Sequence, residues 1–353
     1  MIPPGSIIGI VGGGQLGRML AMAAAQLGYK CNIFDPHERP CAVDVSAQFT
    51  RAKYDDTEAL KAFGAGVDVV TYEFENLPVE PLSILSDKLR PGLKSLAVAQ
   101  DRGEEKAFIE SAGARVAPWR HVETLDDVRR AIGELGTPVV LKTRRYGYDG
   151  KGQAWIRSEN DAQAAWESIR GEPAVAEAGV DFAAEFSVIV ARWADGRTTF
   201  WDSADNVHRD GILRTSTVPP GEPIESQLED ARAAAAAIAE ALGHVGVLTV
   251  EFFASRDGPV VNEIAPRVHN SGHWTIEGAF TSQFEQHIRA ICDLPPGSTA
   301  LAAASVSMDN LIGDEIEEWE RLLCDPQTHL HIYGKGEARP GRKMGHITRL
   351  TLK

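Results

Sequence analysis

The residue types and spacings best suited to chemistry begin with Glu251 and Glu263. Each lies in a short run that alternates as a half-buried strand does, and Ser255-Arg256-Asp257-Gly258 between them is turn chemistry. Their midpoint in sequence, position 257, falls inside that turn. A regular hairpin therefore sets the two carboxylates opposite each other on one face. Two apposed carboxylates repel unless a cation lies between them. A hard divalent ion such as Mg²⁺, sharing its oxygen ligands with substrate phosphates, suits such a pair, and Asn262 adds a neutral oxygen. The alternative is that one glutamate faces solvent or pairs with a nearby arginine.

Other clusters carry phosphate-like or anion-binding character. Lys142 ends an apolar run, and Gly147-Tyr148-Asp149-Gly150-Lys151-Gly152-Gln153 follows. Its glycines let backbone amides approach a polyphosphate, although the spacing is not that of a P-loop. Gly12-Gly13-Gly14-Gln15-Leu16-Gly17 fits G-x-G-x-x-G, with Asp35 ending the next strand. That turn reads as a dinucleotide site, as a site for another phosphorylated ligand, or as a plain tight turn. Arg267, His269, Asn270, Ser271 and His273 form a donor-rich run, and the arginine fork suits a carboxylate-like anion such as bicarbonate. Residues 335–353 hold Lys335, Arg339, Arg342, Lys343, Arg349 and Lys353 against the single acid Glu337. The glycines around this basic stretch favour an ordered loop over a solvated tail.

These residues need a frame, and the patterning supplies one. The first hundred residues alternate strand and helix: strands over 7–11, 30–34 and 67–72, helices over 15–27 and 57–63. This βαβ rhythm predicts a parallel sheet with helices on its faces. A helix starts near Asp101, and a helix over 125–135 precedes two strands joined by the glycine loop, which suggests a small α+β lid over 126–180. Strands then dominate, over 185–192, 198–203, 246–253 and 259–264. The expected division is 1–100, 101–297 and a short C-terminal domain over 298–353.

The 353 residues are 43% hydrophobic and 24% charged, ordinary values for a globular protein. A net charge of −14 disfavours binding to nucleic acid backbones. No apolar run is long enough for a membrane helix. Cys31, Cys41, Cys292 and Cys324 form no CxxC pair, and buried free thiols in a reducing cytoplasm are expected.

The runs Glu185-Phe186-Ser187-Val188-Ile189-Val190, Val250-Glu251-Phe252-Phe253 and Val261-Asn262-Glu263-Ile264-Ala265-Pro266-Arg267 resemble the ATP-grasp superfamily. With 12–19 (GGGQLGRM), 72–76 (YEFEN), 147–153 (GYDGKGQ), 208–213 (HRDGIL), 262–274 (NEIAPRVHNSGHW), 282–287 (SQFEQH) and 340–346 (PGRKMGH), the chain resembles the carboxyaminoimidazole ribonucleotide synthases of purine biosynthesis. The resemblance implies an ATP-grasp fold with a Rossmann-like N-terminal domain, usually in a homodimer. It implies ATP-dependent carboxylation of aminoimidazole ribonucleotide by bicarbonate. By the same resemblance ATP meets Arg102, Lys142, 147–153, Glu177, Ala178, Gly179, Val180, Glu185, His208, Asn262 and Glu263. Glu251 and Glu263 hold Mg²⁺, and bicarbonate lies near Arg267, His269, Asn270 and Lys335. The nucleotide substrate meets Gly14, Gln15, Leu16, Glu73, Asp149, Lys151, Lys335, Arg342 and Lys343. His273 is a candidate for the amine proton. Tyr146 departs from the family pattern, which often has glycine there.

Overall fold

A computed structural model describes residues 1–147 and 151–352. The N-terminal part is a parallel sheet of β1 (Ile7–Val11), β2 (Lys30–Asp35), β3 (Gln48–Arg51) and β4 (Val69–Tyr72), in the order β3-β2-β1-β4. Strands β1 and β4 are almost wholly buried, as runs of Ile and Val covered on both faces must be. The helix Gln15–Gln26 leaves directly from β1 and packs Leu16, Met19 and Leu20 into a core shared with Phe284, Ile288 and Ile291 of the helix Gln283–Ile291. The N-terminal part is thus fastened to the middle of the chain by apolar burial. A hydrogen bond of 2.8 Å between Thr71 Oγ1 on β4 and His287 Nε2 adds to the joint.

The lid is an antiparallel sheet of β5 (Trp119–Val122), β6 (Val139–Thr143), β7 (Gln153–Ile156) and β8 (Ala174–Ala178), ordered β5-β8-β6-β7. The helix Leu125–Leu135 packs Val128, Ala131 and Ile132 into the lid's separate core. Its start is set by Thr124, whose hydroxyl accepts from Asp127 N while the Asp127 carboxylate accepts in return, a capping box.

The third sheet contains β9 (Phe182–Arg192), β10 (Thr198–Phe200), β11 (Ala204–Arg209), β12 (Ile212–Val218), β13 (Gly246–Ser255), β14 (Gly258–Ala265), β15 (Ser305–Ile312), β16 (Thr328–Ile332) and β17 (Lys343–Thr351). Its order is β14-β13-β9-β11-β12-β15-β17-β16, with β10 on β9. The C-terminal strands therefore extend the same sheet, because β15 pairs with β12. Strand β10 ends at Phe200, short of the expected 203. There the chain leaves the edge to bury Trp201, whose Nε1 donates to Thr281 O at 2.9 Å.

Three cysteines are buried and free, while Cys324 is exposed, contrary to the expectation of burial for all of them. Tyr146 has φ 63°, the left-handed region that glycine would enter without steric cost. No helix among the described residues is long and apolar enough to cross a membrane.

Candidate active site

A cavity of about 560 Å³ lies where the three sheets meet. Strands β13 and β14 supply one wall. Glu251 and Glu263 are direct cross-strand partners, and a bulge between Glu251 and Phe252 follows. Both carboxylates reach the cavity, but each already meets a basic side chain. Glu263 Oε2 accepts from Arg102 Nη1 at 2.9 Å, and His269 Nε2 lies 2.9 Å from Glu251 Oε1. Burial opposes ionisation of Glu251, yet His269 and His208 outweigh it and hold its pKa at about 2. The helix Arg102–Ser111 positions this wall from behind, because Glu105 Oε1 accepts from Ile264 N at 2.7 Å. Burial, with Glu263 nearby, pushes the Glu105 carboxyl up to about 8.

The lid contributes Lys142 from β6 and Glu177 from β8. Lys142 Nζ lies 3.1 Å from Glu177 Oε2 and donates to Asn262 Oδ1 at 3.2 Å. Lys106, wholly buried, reaches the same Glu177 oxygen at 3.0 Å. Burial works against the Glu177 charge, but the two ammonium groups hold its pKa at about 2. Burial also lowers the pKa of Lys142, against the pull of Glu177. Trp155, Phe182 and Phe253 add apolar surface, the last two stacked with ring centroids 4.5 Å apart. Nearby, His208 Nδ1 sits 3.1 Å from Glu185 Oε2. Burial lowers the His208 pKa, but the Glu185 contact prevails and raises it. Aromatic walls beside paired charges suit a planar base carrying a polyphosphate.

The wall also carries Arg267, His269, Asn270, Lys343, Gln15, Leu16 and Glu75, and this end adjoins Glu251 through His269. Arg267 grips Glu75 in a two-pronged pair, Nε to Oε2 at 2.5 Å and Nη2 to Oε1 at 3.1 Å. Asn270 exchanges amide hydrogen bonds with Asn310 at 2.9 and 2.8 Å. This end offers donors of both charged and neutral kind for a small anion.

The ATP-grasp domain family matches residues 107–284. The ribonucleotide synthetase preATP-grasp domain matches 6–100, and the phosphoribosylaminoimidazole carboxylase C-terminal domain matches 306–352. N5-carboxyaminoimidazole ribonucleotide synthase of Brucella melitensis is 49% identical, over 99% of this chain and 97% of its own length. The chain belongs to the N5-carboxyaminoimidazole ribonucleotide synthase family. The Bacillus subtilis synthase is 44% identical over 99% of this chain and 92% of its own. A crystal structure of an ADP complex of an N5-carboxyaminoimidazole ribonucleotide synthetase superposes with a TM-score of 0.96 at 43% identity, covering 100% of this chain and 94% of that one. The Aspergillus clavatus synthase in complex with ADP and 5-aminoimidazole ribonucleotide gives 0.92 at 31% identity, covering 98% and 94%. The ATP-grasp fold, the ligase class and the family expected from the motifs are borne out.

Within this synthase frame the cavity wall brings together many of the expected residues. Arg102, Lys142, Gly147, Lys151, Gly152, Gln153, Glu177, Ala178, Gly179, Val180, Glu185, His208, Asn262 and Glu263 line it. So do Glu251, Arg267, His269, Asn270, Gln15, Leu16 and Lys343. Tyr148, Asp149 and Gly150 lie outside the described residues.

Other expected residues stand elsewhere. His273 is fully buried off the cavity wall, with Nδ1 3.4 Å from Gln283 Nε2 and its ring 4.9 Å from that of His346. Burial first, and His346 second, hold its pKa well below the ordinary value, so it is a neutral core histidine. The amides of the glycine turn are also largely taken. Gly13 N donates to Asp35 Oδ2 at 2.8 Å, and Gly14 N and Gly17 N donate to the Glu73 carboxylate at 2.6 and 2.9 Å. Gly14 and Glu73 thus serve the turn itself. Asp35 also accepts from His37 N and the Tyr54 hydroxyl, so no oxygen is left over for a dinucleotide ribose. Only Gln15 and Leu16 of this turn reach the cavity. Lys335 does not line the cavity; it donates to Lys343 O at 2.9 Å, and burial lowers its pKa to about 8. Arg342 donates to Glu337 O at 3.0 Å.

Sequence reasoning missed Glu75, Lys106, Trp155, Phe182 and Phe253. Glu75 sits in the YEFEN run, whose second acid was a visible signal. Lys106 follows a capped helix start and looks like any helix lysine, so its burial had no local signature.

Proposed function

We propose that this protein is an ATP-dependent carbon–nitrogen ligase of purine biosynthesis. Its reaction joins bicarbonate to the exocyclic amine of 5-aminoimidazole ribonucleotide, through carboxyphosphate, with release of ADP and phosphate. One observation carries the reading: a single cavity pairs a lysine–glycine-loop–carboxylate end with an Arg267–His269–Asn270 end. The first end suits a nucleoside triphosphate and the second a small planar anion.

ATP would lie along Lys142, Gly147, Lys151, Gly152 and Gln153, with its base toward Glu177, Ala178, Gly179 and Val180, and its ribose toward Glu185 and His208. Glu251 and Glu263 fit Mg²⁺, because the two carboxylates are cross-strand partners that both line the cavity. That count suits a metal completed by substrate phosphates. When bound, the ion would neutralise charge on the transferring phosphoryl group. Lys142 and loop amides stabilise the same charge, and Arg267 orients bicarbonate. The nucleotide substrate would approach Gln15 and Leu16, with Lys335, Arg342 and Lys343 close to its phosphate. Free thiols support a cytoplasmic setting, and the family resemblance supports a homodimer.

The test is an ADP-release assay with purified protein. Full rate should need both bicarbonate and 5-aminoimidazole ribonucleotide. Strong stimulation by formate with glycinamide ribonucleotide instead would replace this substrate assignment with formyl transfer.

A further inference from the structure

The carboxylation needs an acceptor for one amine proton, and the burial of His273 leaves that role open. An acceptor must stand on the cavity wall, where the carboxylates among the described residues are Glu75, Glu177, Glu185, Glu251 and Glu263. Glu177 is held by Lys142 and Lys106, and Glu185 by His208. Glu251 and Glu263 form the cross-strand pair suited to the metal. Glu75 alone comes from the N-terminal part, beside Gln15 and Leu16, and it faces Arg267 across the anion end.

Resting on the ligase reading above, we propose that Glu75 is the general base that accepts the amine proton, alternating between that role and its pair with Arg267.

Several features fit this. The Glu75 backbone is pinned, since its carbonyl accepts from Gln100 Nε2 at 2.7 Å and from Leu77 N at 2.8 Å. Its carboxylate, in contrast, is held chiefly through the Arg267 fork, the same fork that suits bicarbonate, with a backbone amide and His269 adding less. An incoming anion therefore competes for Arg267 and releases the Glu75 oxygens toward the cavity. Burial disfavours the Glu75 charge, but Arg267 outweighs it and keeps the group ionised, which is the form an acceptor needs.

In the step itself the amine lone pair forms the N–C bond to the carboxyl carbon supplied by carboxyphosphate. The C–O bond to phosphate breaks before or during this attack, and its electron pair leaves on phosphate. The nitrogen becomes cationic and strongly acidic, so a weakly basic carboxylate suffices to take its proton. Re-pairing with Arg267 then favours the ionised carboxylate and expels the proton to solvent, which the 25% exposure of the Glu75 side chain permits.

The test compares product per ADP in the parent chain, Glu75→Gln and Glu75→Asp, using labelled bicarbonate. Glutamine keeps the length and can still accept from Arg267, but it cannot take a proton. Carboxylated product should form about 100-fold more slowly in Glu75→Gln. ADP release should fall less, so labelled carbon per ADP drops. Glu75→Asp, which keeps a carboxylate, should recover part of the ratio. Product and ADP falling in step, or a ratio and rate equal to the parent's, would overturn the role. A parent chain that releases no ADP with both substrates would instead defeat the ligase reading itself.

Discussion

The β13–β14 hairpin and the turn after β1 both place carboxylates where a phosphate or metal is expected, and they use them in opposite ways. In the hairpin, Glu251 and Glu263 each meet one basic side chain at the edge of a cavity. Such partners can be exchanged for a ligand with little rearrangement. In the turn, Asp35 and Glu73 accept from the backbone amides of Gly13, Gly14 and Gly17. Those donors cannot be moved without unfolding the turn, so the acids there hold the frame. His287 belongs with the frame as well. Its Nδ1 accepts from Val247 N at 3.1 Å and its Nε2 meets Thr71, which locks a neutral ring between two parts of the chain. The lesson is that an acid beside a glycine turn is a ligand site only while its partners remain exchangeable.

The sharpest way to break this contrast is Glu263→Gln. ADP release should fall about 1,000-fold, which corresponds to about 4 kcal/mol of transition-state stabilisation. The fold should persist, because glutamine can still accept from Arg102. Unchanged turnover would remove Glu263 from the metal pair.

Glu73→Ala should do the reverse. It strips acceptors from two amides that have few alternatives, at a cost of about 2–3 kcal/mol in global stability. A urea titration with unchanged m-value reads this directly. A variant as stable as its parent would show that the turn does not depend on Glu73.

The last effect, smallest per pH unit, concerns acid. Burial, with His244 next to it, lowers the His287 pKa to about 3, while the unfolded ring titrates near 6.5. The unfolded chain therefore binds one more proton between these values, and the stability present above pH 6.5 is lost as pH falls. His287→Asn should flatten the fall in stability between pH 6 and pH 4 by about 1.4 kcal/mol per pH unit. Equal slopes in the two proteins would place the ring outside the locked frame.

Much of the local architecture was legible. The helix Leu125–Leu135 has the bounds that its capping residues and apolar spacing predict. Strand β1 likewise begins and ends where its apolar run does. The opposition of Glu251 and Glu263 followed from a turn centred between them, and turn chemistry is local. The partners of those glutamates were not legible. Arg102 and Glu263 lie 161 residues apart, and Glu75 and Arg267 lie 192 apart. His273 illustrates the same limit. Beside His269 in a polar run it looked reactive, and only packing against His346 and Phe284 shows it to be core.

What the sequence by itself determined is the family and the strongly patterned elements, because periodicity, caps and turns act over a few residues and the motifs run from end to end; β3, β5, β8, β11, β12 and β15 to β17 carried no such pattern. Tertiary structure alone decided which charges meet, which are buried and which face the cavity. Those outcomes depend on three sheets converging, and desolvation has no magnitude until the surrounding atoms are in place.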